Sequence, residues 1–166
     1  MTAPTSWRPL ETGDLATVEA IAAKVHPGFF ERPEIFAERI ALYPAGARLL
    51  EIDGVSAGYV FSHPYRLGAL PALDTLLGAL PPEPDCFYLH DLALLPAARG
   101  RGAGAAVTTD LAAHAGAQGF AAMALVAVNG SQPFWQRLGF APFETKTLRD
   151  KLLSYGPEAC YMQRRL

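Results

Sequence analysis

Leu89-His90-Asp91-Leu92-Ala93-Leu94-Leu95-Pro96 runs through Ala97-Ala98 into Arg99-Gly100-Arg101-Gly102-Ala103-Gly104, and an alanine-rich run follows as far as Gln118. An apolar stretch closed by proline predicts a central strand, here from Phe87 to Leu95. The glycines after it let backbone N–H groups approach a ligand closely, and a helix opening near Gly102 adds the positive end of its dipole. Such a loop suits a phosphate or pyrophosphate, with Arg99 and Arg101 adding charge and donors. An exposed turn with a helix cap is the plain alternative reading of the same glycines.

Working outward, the elements alternate between helix and strand. Leu15, Val18, Ile21, Ala22 and Val25 recur on one side of a helix from about Asp14 to Lys24. Pro33 opens a second helix carrying Ile35, Phe36, Ile40 and Leu42. Ala47–Ile52 and Val55–Phe61 form a hairpin around Asp53-Gly54. On the far side of the glycine loop, the helix from about Gly102 to Gln118 stops at Gly119. Ala121–Val128 is apolar throughout, as a strand buried on both faces is. A short helix over Gln132–Leu138 and strands near Phe140–Thr145 and Glu158–Arg165 complete the chain. Between His63 and Asp85 the sequence is rich in proline, with Leu70, Leu73, Leu76, Leu77 and Leu80 at helical spacing, which predicts a long connection holding a short helix. The fold class is α/β, and no repeat or composition break divides residues 1–166 into more than one domain.

Composition narrows the function classes. The chain has 166 residues, 51% hydrophobic, with 14 Lys+Arg against 16 Asp+Glu and a formal net charge of -2. That balance gives no global field for duplex nucleic acid. No apolar run is long enough to cross a membrane. Met1–Arg8 lacks the pattern of a secretory signal, so a cytoplasmic protein is expected. Cys86 and Cys160 are too few for a disulfide scaffold, and His26, His63 and His114 share no metal-ligand spacing.

Three phosphate motifs compete for the loop. A Walker A loop needs a lysine that the segment lacks. Gly100-x-Gly102-x-x-Ala105 satisfies the dinucleotide fingerprint formally, but Pro96–Arg99 separates the strand from the first glycine and no acidic residue closes the next strand. The third pattern fits both context and spacing. Arg99-x-x-Gly102-x-Gly104, with Pro96 upstream and a long helix downstream, resembles the Arg/Gln-x-x-Gly-x-Gly/Ala signature of the GCN5-related N-acetyltransferases, the GNAT family. Leu89–Pro96 resembles that family's fourth strand, and Asn129-x(4)-Phe134-Trp135-x(2)-Leu138-Gly139-Phe140 resembles its Asn…Phe-Tyr…Gly-Phe block.

This resemblance implies a GNAT fold, a mixed central sheet whose fourth and fifth strands splay apart to hold acetyl-CoA as cosubstrate. It implies that Arg99 and the backbone N–H groups of Arg101, Gly102, Ala103 and Gly104 hold the pyrophosphate. Leu92 and Leu94 pair through their backbones with the pantetheine arm, the Leu94 N–H polarises the thioester carbonyl, and Asn129 and Phe134 lie at the cleft. The implied reaction is N-acetylation of a primary amine, with a homodimer formed through the end strand Ala159–Arg164 as a possibility that no residue requires.

Amine acetylation needs a base, since an amine of pKa about 10 must lose a proton before it attacks. His90 is the candidate, with Asp91 as fallback. Strict alternation puts Tyr88, His90, Leu92 and Leu94 on one face of the strand and Leu89, Asp91 and Ala93 on the other. The acid is less defined, because Trp135 stands where many members have tyrosine, and indole cannot supply the proton. Tyr88, Tyr155 and Tyr161 are substitutes, and Ser131 is expected to cap the short helix. Phe29, Phe30, Tyr65 and the Pro64–Pro84 connection are candidates to wall a pocket for a small amine. Trp135 also sustains a different reading, a CoA-binding sensor or interaction module without catalysis.

Overall fold

The computed structural model describes residues 3–166. β1 (Thr5–Pro9) leads through a short turn into α1 (Leu15–Val25) and α2 (Pro33–Leu42). β2 (Ala47–Ile52), β3 (Val55–Tyr65) and β4 (Cys86–Leu94) follow, then α3 (Ala103–Ala117), β5 (Ala122–Ala127), α4 (Gln132–Arg137), β6 (Ala141–Pro142), α5 (Lys146–Leu152) and β7 (Cys160–Arg165). The strands form one seven-stranded sheet in the order β1-β2-β3-β4-β5-β7-β6. Among these pairs β4–β5 alone is parallel.

Local chemistry explains most of these elements. Asp53 and Gly54 both take positive φ (51° and 77°), the left-handed pair that a two-residue hairpin demands, and they join β2 to β3 as expected. Pro33 sits in the first turn of α2, where its missing N–H costs nothing. α1 buries Val18 and Ile21, and α2 buries Phe36 and Ile40, against Leu49, Tyr59, Phe61 and Ala93. On the other face, Val107 and Leu111 of α3 pack with Phe87, Leu89, Met123, Leu125 and Trp135.

Several elements differ from expectation. The connection over residues 66–85 forms no helix, because Pro71, Pro81, Pro82 and Pro84 interrupt it and Asp74 and Gly78 take positive φ. Its shape comes from α2 instead: Arg32 bonds Asp74, and the Glu38 carboxylate accepts from the N–H groups of Leu77 and Gly78 at 2.7 and 2.9 Å. The strand expected near Phe140–Thr145 shrinks to Ala141–Pro142, and Thr145 begins α5 by accepting from the Leu148 N–H. β1, five residues ending in proline, is too short to show a strand pattern in the sequence. The end strand β7 is paired along its length by β5 and, on its other edge, by β6 at Gln163 and Met162.

A further correction concerns the strand that matters most. β3 and β4 match Phe61 to Asp91 and then Ser62 to Leu89, so His90 is an extra residue with no partner across the ladder. A β-bulge of this kind breaks the two-residue alternation and re-aims the side chains beyond it. Phe87, Leu89, Leu92 and Leu94 pack toward α3, while Tyr88, His90, Asp91 and Ala93 face the α1/α2 side. His90 and Asp91 are therefore neighbours on one face.

Gly58 of β3 backs this strand. A Cβ there would lie 2.6 Å from the Ala93 carbonyl oxygen and 2.9 Å from Leu94 Cδ2. Gly58→Ala is expected to force β4 outward and destabilise the protein by about 1–3 kcal/mol, the usual cost of overpacking, read as a lower urea midpoint. An unchanged midpoint would show that β4 yields freely.

Candidate active site

β4 and β5 hydrogen-bond only over Phe87–Leu89 against Met123–Leu125, and beyond Leu89 they part. The gap is a cleft of about 470 Å³ whose lining includes Leu92, Leu94, Arg99, Val128, Asn129, Ser131 and Phe134. One wall is a bare strand edge. The Leu95 N–H bonds the Ala57 carbonyl of β3, so by ladder alternation the peptide groups of Leu92 and Leu94 turn the other way, into the gap. Their carbonyls have only side-chain company, His26 Nε2 at 3.4 Å from Leu92 O and Arg99 Nε donating to Leu94 O at 3.3 Å.

At the end of this edge lies the glycine loop. Gly100 and Gly102 both take φ of 75°, and a Cβ on either would meet nothing within 4 Å. That face is open to a ligand. α3 starts at Ala103 with no side-chain cap, and its first helical bond runs from the Ala106 N–H to the Gly102 carbonyl at 2.9 Å. The N–H groups of Ala103, Gly104 and Ala105 therefore lack helical acceptors, as at any helix start. Gly104 answers to packing as well, for a Cβ there would lie 3.0 Å from Phe134 and 3.3 Å from Leu94. The Trp7 indole N–H fixes the helix start by donating to the Ala103 carbonyl at 3.0 Å. Arg99 lines the cleft, whereas Arg101 folds back through Nε to the Ala97 carbonyl. An open backbone cradle, a helix start and an unpaired strand edge in line fit the diphosphate and amide-bearing arm of CoA.

Where the cleft meets the α1/α2 side, two imidazole–carboxylate pairs stand together. His90 Nε2 lies 2.9 Å from Glu31 Oε1, and His26 Nε2 lies 3.0 Å from Asp91 Oδ1. Asp91 also accepts from the Tyr59 hydroxyl at 2.7 Å, and Asn129 Nδ2 is 3.1 Å from His26 Nδ1. Both His26 nitrogens are thus engaged. His90 differs, because Nδ1 has no partner once Nε2 is held by Glu31. With the proton on Nε2, Nδ1 carries the lone pair a base needs. His26 and Glu31 come from the loop between α1 and α2, and nothing in their sequence spacing announces either.

The remaining candidates scatter. Asn129 lines the cleft with φ of 55°, a left-handed turn that asparagine tolerates, followed by Gly130. Phe134 packs edge-on against Trp135 at 4.8 Å, and Trp135 is buried against Phe140. Ser131 lines the cleft but makes no capping bond, contrary to expectation. Tyr88 is 1% exposed among Tyr65, His63 and the α5 residues, outside the cleft lining, and burial drives its hydroxyl pKa well above the ordinary value. The Tyr161 hydroxyl accepts from the Gly68 N–H at 2.9 Å and lies outside the cleft lining. Of the expected pocket walls, Phe29 lines the α1/α2 side, Tyr65 packs on Tyr88, and Phe30 is exposed.

The sequence matches the Acetyltransferase (GNAT) family over residues 15–140. The chain belongs to that family. Solved structures similar to it include Ard1 from Thermoplasma volcanium, with TM-score 0.73 at 14% identity over 98% of this chain and 97% of that one. The GphF GNAT-like decarboxylase in complex with isobutyryl-CoA aligns with TM-score 0.77 at 16% identity, covering 96% and 98% of the two chains. The ribosomal-protein-S18-alanine N-acetyltransferase from Escherichia coli aligns with TM-score 0.66 at 19% identity, covering 98% and 94%. No curated protein matches by sequence. GNAT membership carries the parted strands and glycine loop as expected, and marks the chain as an acyltransferase by family.

The His26–Asp91 pair has a pH signature. Burial pulls the His26 pKa down, but the hydrogen bond and charge of Asp91 outweigh it and leave the pKa raised. Burial pushes Asp91 up, and His26 holds it below the usual carboxylate range. The raised imidazole stabilises the fold fully below its ordinary value of about 6.5, and that part fades as pH rises through the folded value. His26→Gln is expected to cost about 1.5–3 kcal/mol at pH 6, the worth of a charged hydrogen bond, and distinctly less at pH 9. Equal losses at both pH values in urea unfolding would mean that the imidazole is never charged.

Proposed function

We propose that residues 1–166 form a single N-acetyltransferase domain that moves the acetyl group of acetyl-CoA to a primary amine of a small molecule, by direct attack in a ternary complex. The observation that carries this reading is the parting of β4 from β5 directly opposite the glycine loop and the uncapped start of α3. In it, the N–H groups of Arg101, Gly102, Ala103 and Gly104 hold the pyrophosphate with Arg99. Leu92 and Leu94 pair with the pantetheine arm, beside Asn129 and Phe134.

The chemistry then follows from the residues. His90 takes the first proton from the ammonium, its imidazole oriented by Glu31. The free amine attacks the acetyl carbon, and the Leu94 N–H stabilises the oxygen that gains charge. The new C–N bond forms, the C–S bond breaks, and the second amine proton ends on the departing thiolate by way of solvent. Direct attack is favoured because neither thiol lines the cleft: burial pushes Cys86 up to about 12 and raises Cys160 as well. The two free thiols also suit the cytoplasm.

Calorimetric titration with acetyl-CoA, with NADH as control, tests the cofactor. Binding of acetyl-CoA alone is expected, and Gly102→Glu should weaken it by about 100-fold or more, by placing a side chain and negative charge in the cradle. Unchanged affinity would remove the loop from the site. His90→Gln keeps a donor for Glu31 but no base, and should lower kcat by about 10²–10³ while acetyl-CoA affinity holds. Binding of acetyl-CoA with no thiol released by any amine would instead make the chain a sensor.

A further inference from the structure

Glu31 orients His90, and its own orientation is set from residue 74. His90 Nε2 lies 2.9 Å from Glu31 Oε1, and among the described residues no other group bonds the ring. The second carboxylate oxygen, Oε2, accepts from the Asp74 N–H at 3.2 Å. The last torsion of a glutamate side chain is soft, so a single bond would leave the carboxylate free to turn. A donor on the opposite oxygen stops it, because rotation then breaks both bonds. Glu31 is only 7% exposed, which leaves little room for water to replace either donor.

Asp74 is held in turn by the residue next to Glu31. Arg32 donates to Asp74 Oδ1 from its backbone N–H at 2.8 Å and from Nε at 3.1 Å, and from Nη2 to the Asp74 carbonyl at 3.2 Å. The exchange is reciprocal, since Glu31 receives the Asp74 N–H while Arg32 supplies three donors in return. Asp74 takes φ of 56°, a left-handed conformation that a residue with a side chain keeps only where its neighbours over-determine it. Glycine, which turns this way freely, stands at 68 and 78 of the same connection but not at 74. The connection has separate anchors: the Tyr155 hydroxyl on the Pro71 carbonyl, Arg39 Nη2 on the Thr75 carbonyl, and Glu38 on the N–H groups of Leu77 and Gly78. None of these bonds reaches Glu31. The Arg32 and Asp74 side chains are 48% and 35% exposed, and an ion pair so exposed adds little to stability. What the pair supplies is direction.

We propose that Arg32 and Asp74 are positioning residues: their clasp sets the direction of the Asp74 N–H, which holds the Glu31 carboxylate and through it the His90 ring. A surface ion pair thereby reaches a buried base through two hydrogen bonds. The task of His90 as base rests on the acetyltransferase reading, whereas the bonds that hold it do not. From β3, His63 faces the same ring with centroids 6.2 Å apart, and burial pushes its pKa down to about 3, so it brings no charge to compete with Glu31.

Nuclear magnetic resonance of the full chain with isotope-labelled histidine reads the hydrogen bond, and thiol release from acetyl-CoA reads turnover. The His90 Nε2–H proton is expected as a slowly exchanging signal. Asp74→Gly should speed its exchange with water about tenfold, because glycine turns to either sign of φ and gives Arg32 no carboxylate. With phenethylamine, hexylamine and an amino-blocked lysine peptide as acceptors, kcat should fall about tenfold while KM for acetyl-CoA and the urea midpoint hold. Asp74→Asn keeps an acceptor and tolerates the positive φ, and should restore most of both readings. Arg32→Met leaves the backbone at 74 untouched and should reproduce the loss even if Asp74→Gly disturbs the connection. Exchange unchanged in Asp74→Gly and Arg32→Met, faster exchange with kcat unchanged, or a loss that Asp74→Asn does not restore would overturn the inference. Faster exchange in the variants, with no thiol released by the wild type with any of these acceptors, would keep the clasp on His90 and sink acetyl transfer to such amines.

Discussion

β4 hydrogen-bonds to β5 for three residues and then abandons it, leaving peptide groups of Leu92 and Leu94 without a neighbouring strand. The gap is an open cleft, where water or a ligand can satisfy those groups. The Leu92 and Leu94 side chains stand off the sheet toward α3. They reach under the start of α3, within 3.6 and 3.3 Å of where a Gly104 Cβ would be, with Phe134 on the other side at 3.0 Å. A larger residue at 104 would press on all three side chains. The glycine loop thus both opens the backbone to a ligand and lets the helix start sit tightly on the strand that supplies the other half of the cleft.

Charge is divided along the same cleft. At one end are Arg99 and the positive end of α3, and at the other Glu31 and Asp91. The overall charge of -2 conceals this separation, because opposite signs at two ends of one groove cancel in the sum. A ligand bearing phosphate and a ligand bearing an ammonium would each be drawn to its own end, with the parted strands between them.

The features legible in sequence were those that depend on near neighbours. Asp53-Gly54 forces its turn whatever surrounds it, and Gly100, Gly102 and the alanine run after them specify loop and helix locally. The illegible ones depend on distant partners. Leu70, Leu73, Leu76, Leu77 and Leu80 sit at helical spacing, yet Glu38 of α2 and Arg32 just before it capture that segment instead. Glu31 is one acid among many until β4 brings His90 to it across 59 positions. The bulge is the sharpest case, for alternation counts by two and one unpaired residue reverses every face beyond it.

That reversal explains why the site has two imidazole–carboxylate pairs. In an unbroken strand His90 and Asp91 would lie on opposite faces, with Asp91 against the apolar packing of α3. The bulge turns both toward α1 and α2, where Glu31 and His26 wait on one loop. Each member of β4 is then matched by a group of complementary character, and the pairing is crossed, acid to base and base to acid. His26, saturated by Asp91 and Asn129, braces the mouth of the cleft. His90 keeps one nitrogen uncommitted. The division of labour between two otherwise similar histidines follows from a single extra residue in one strand.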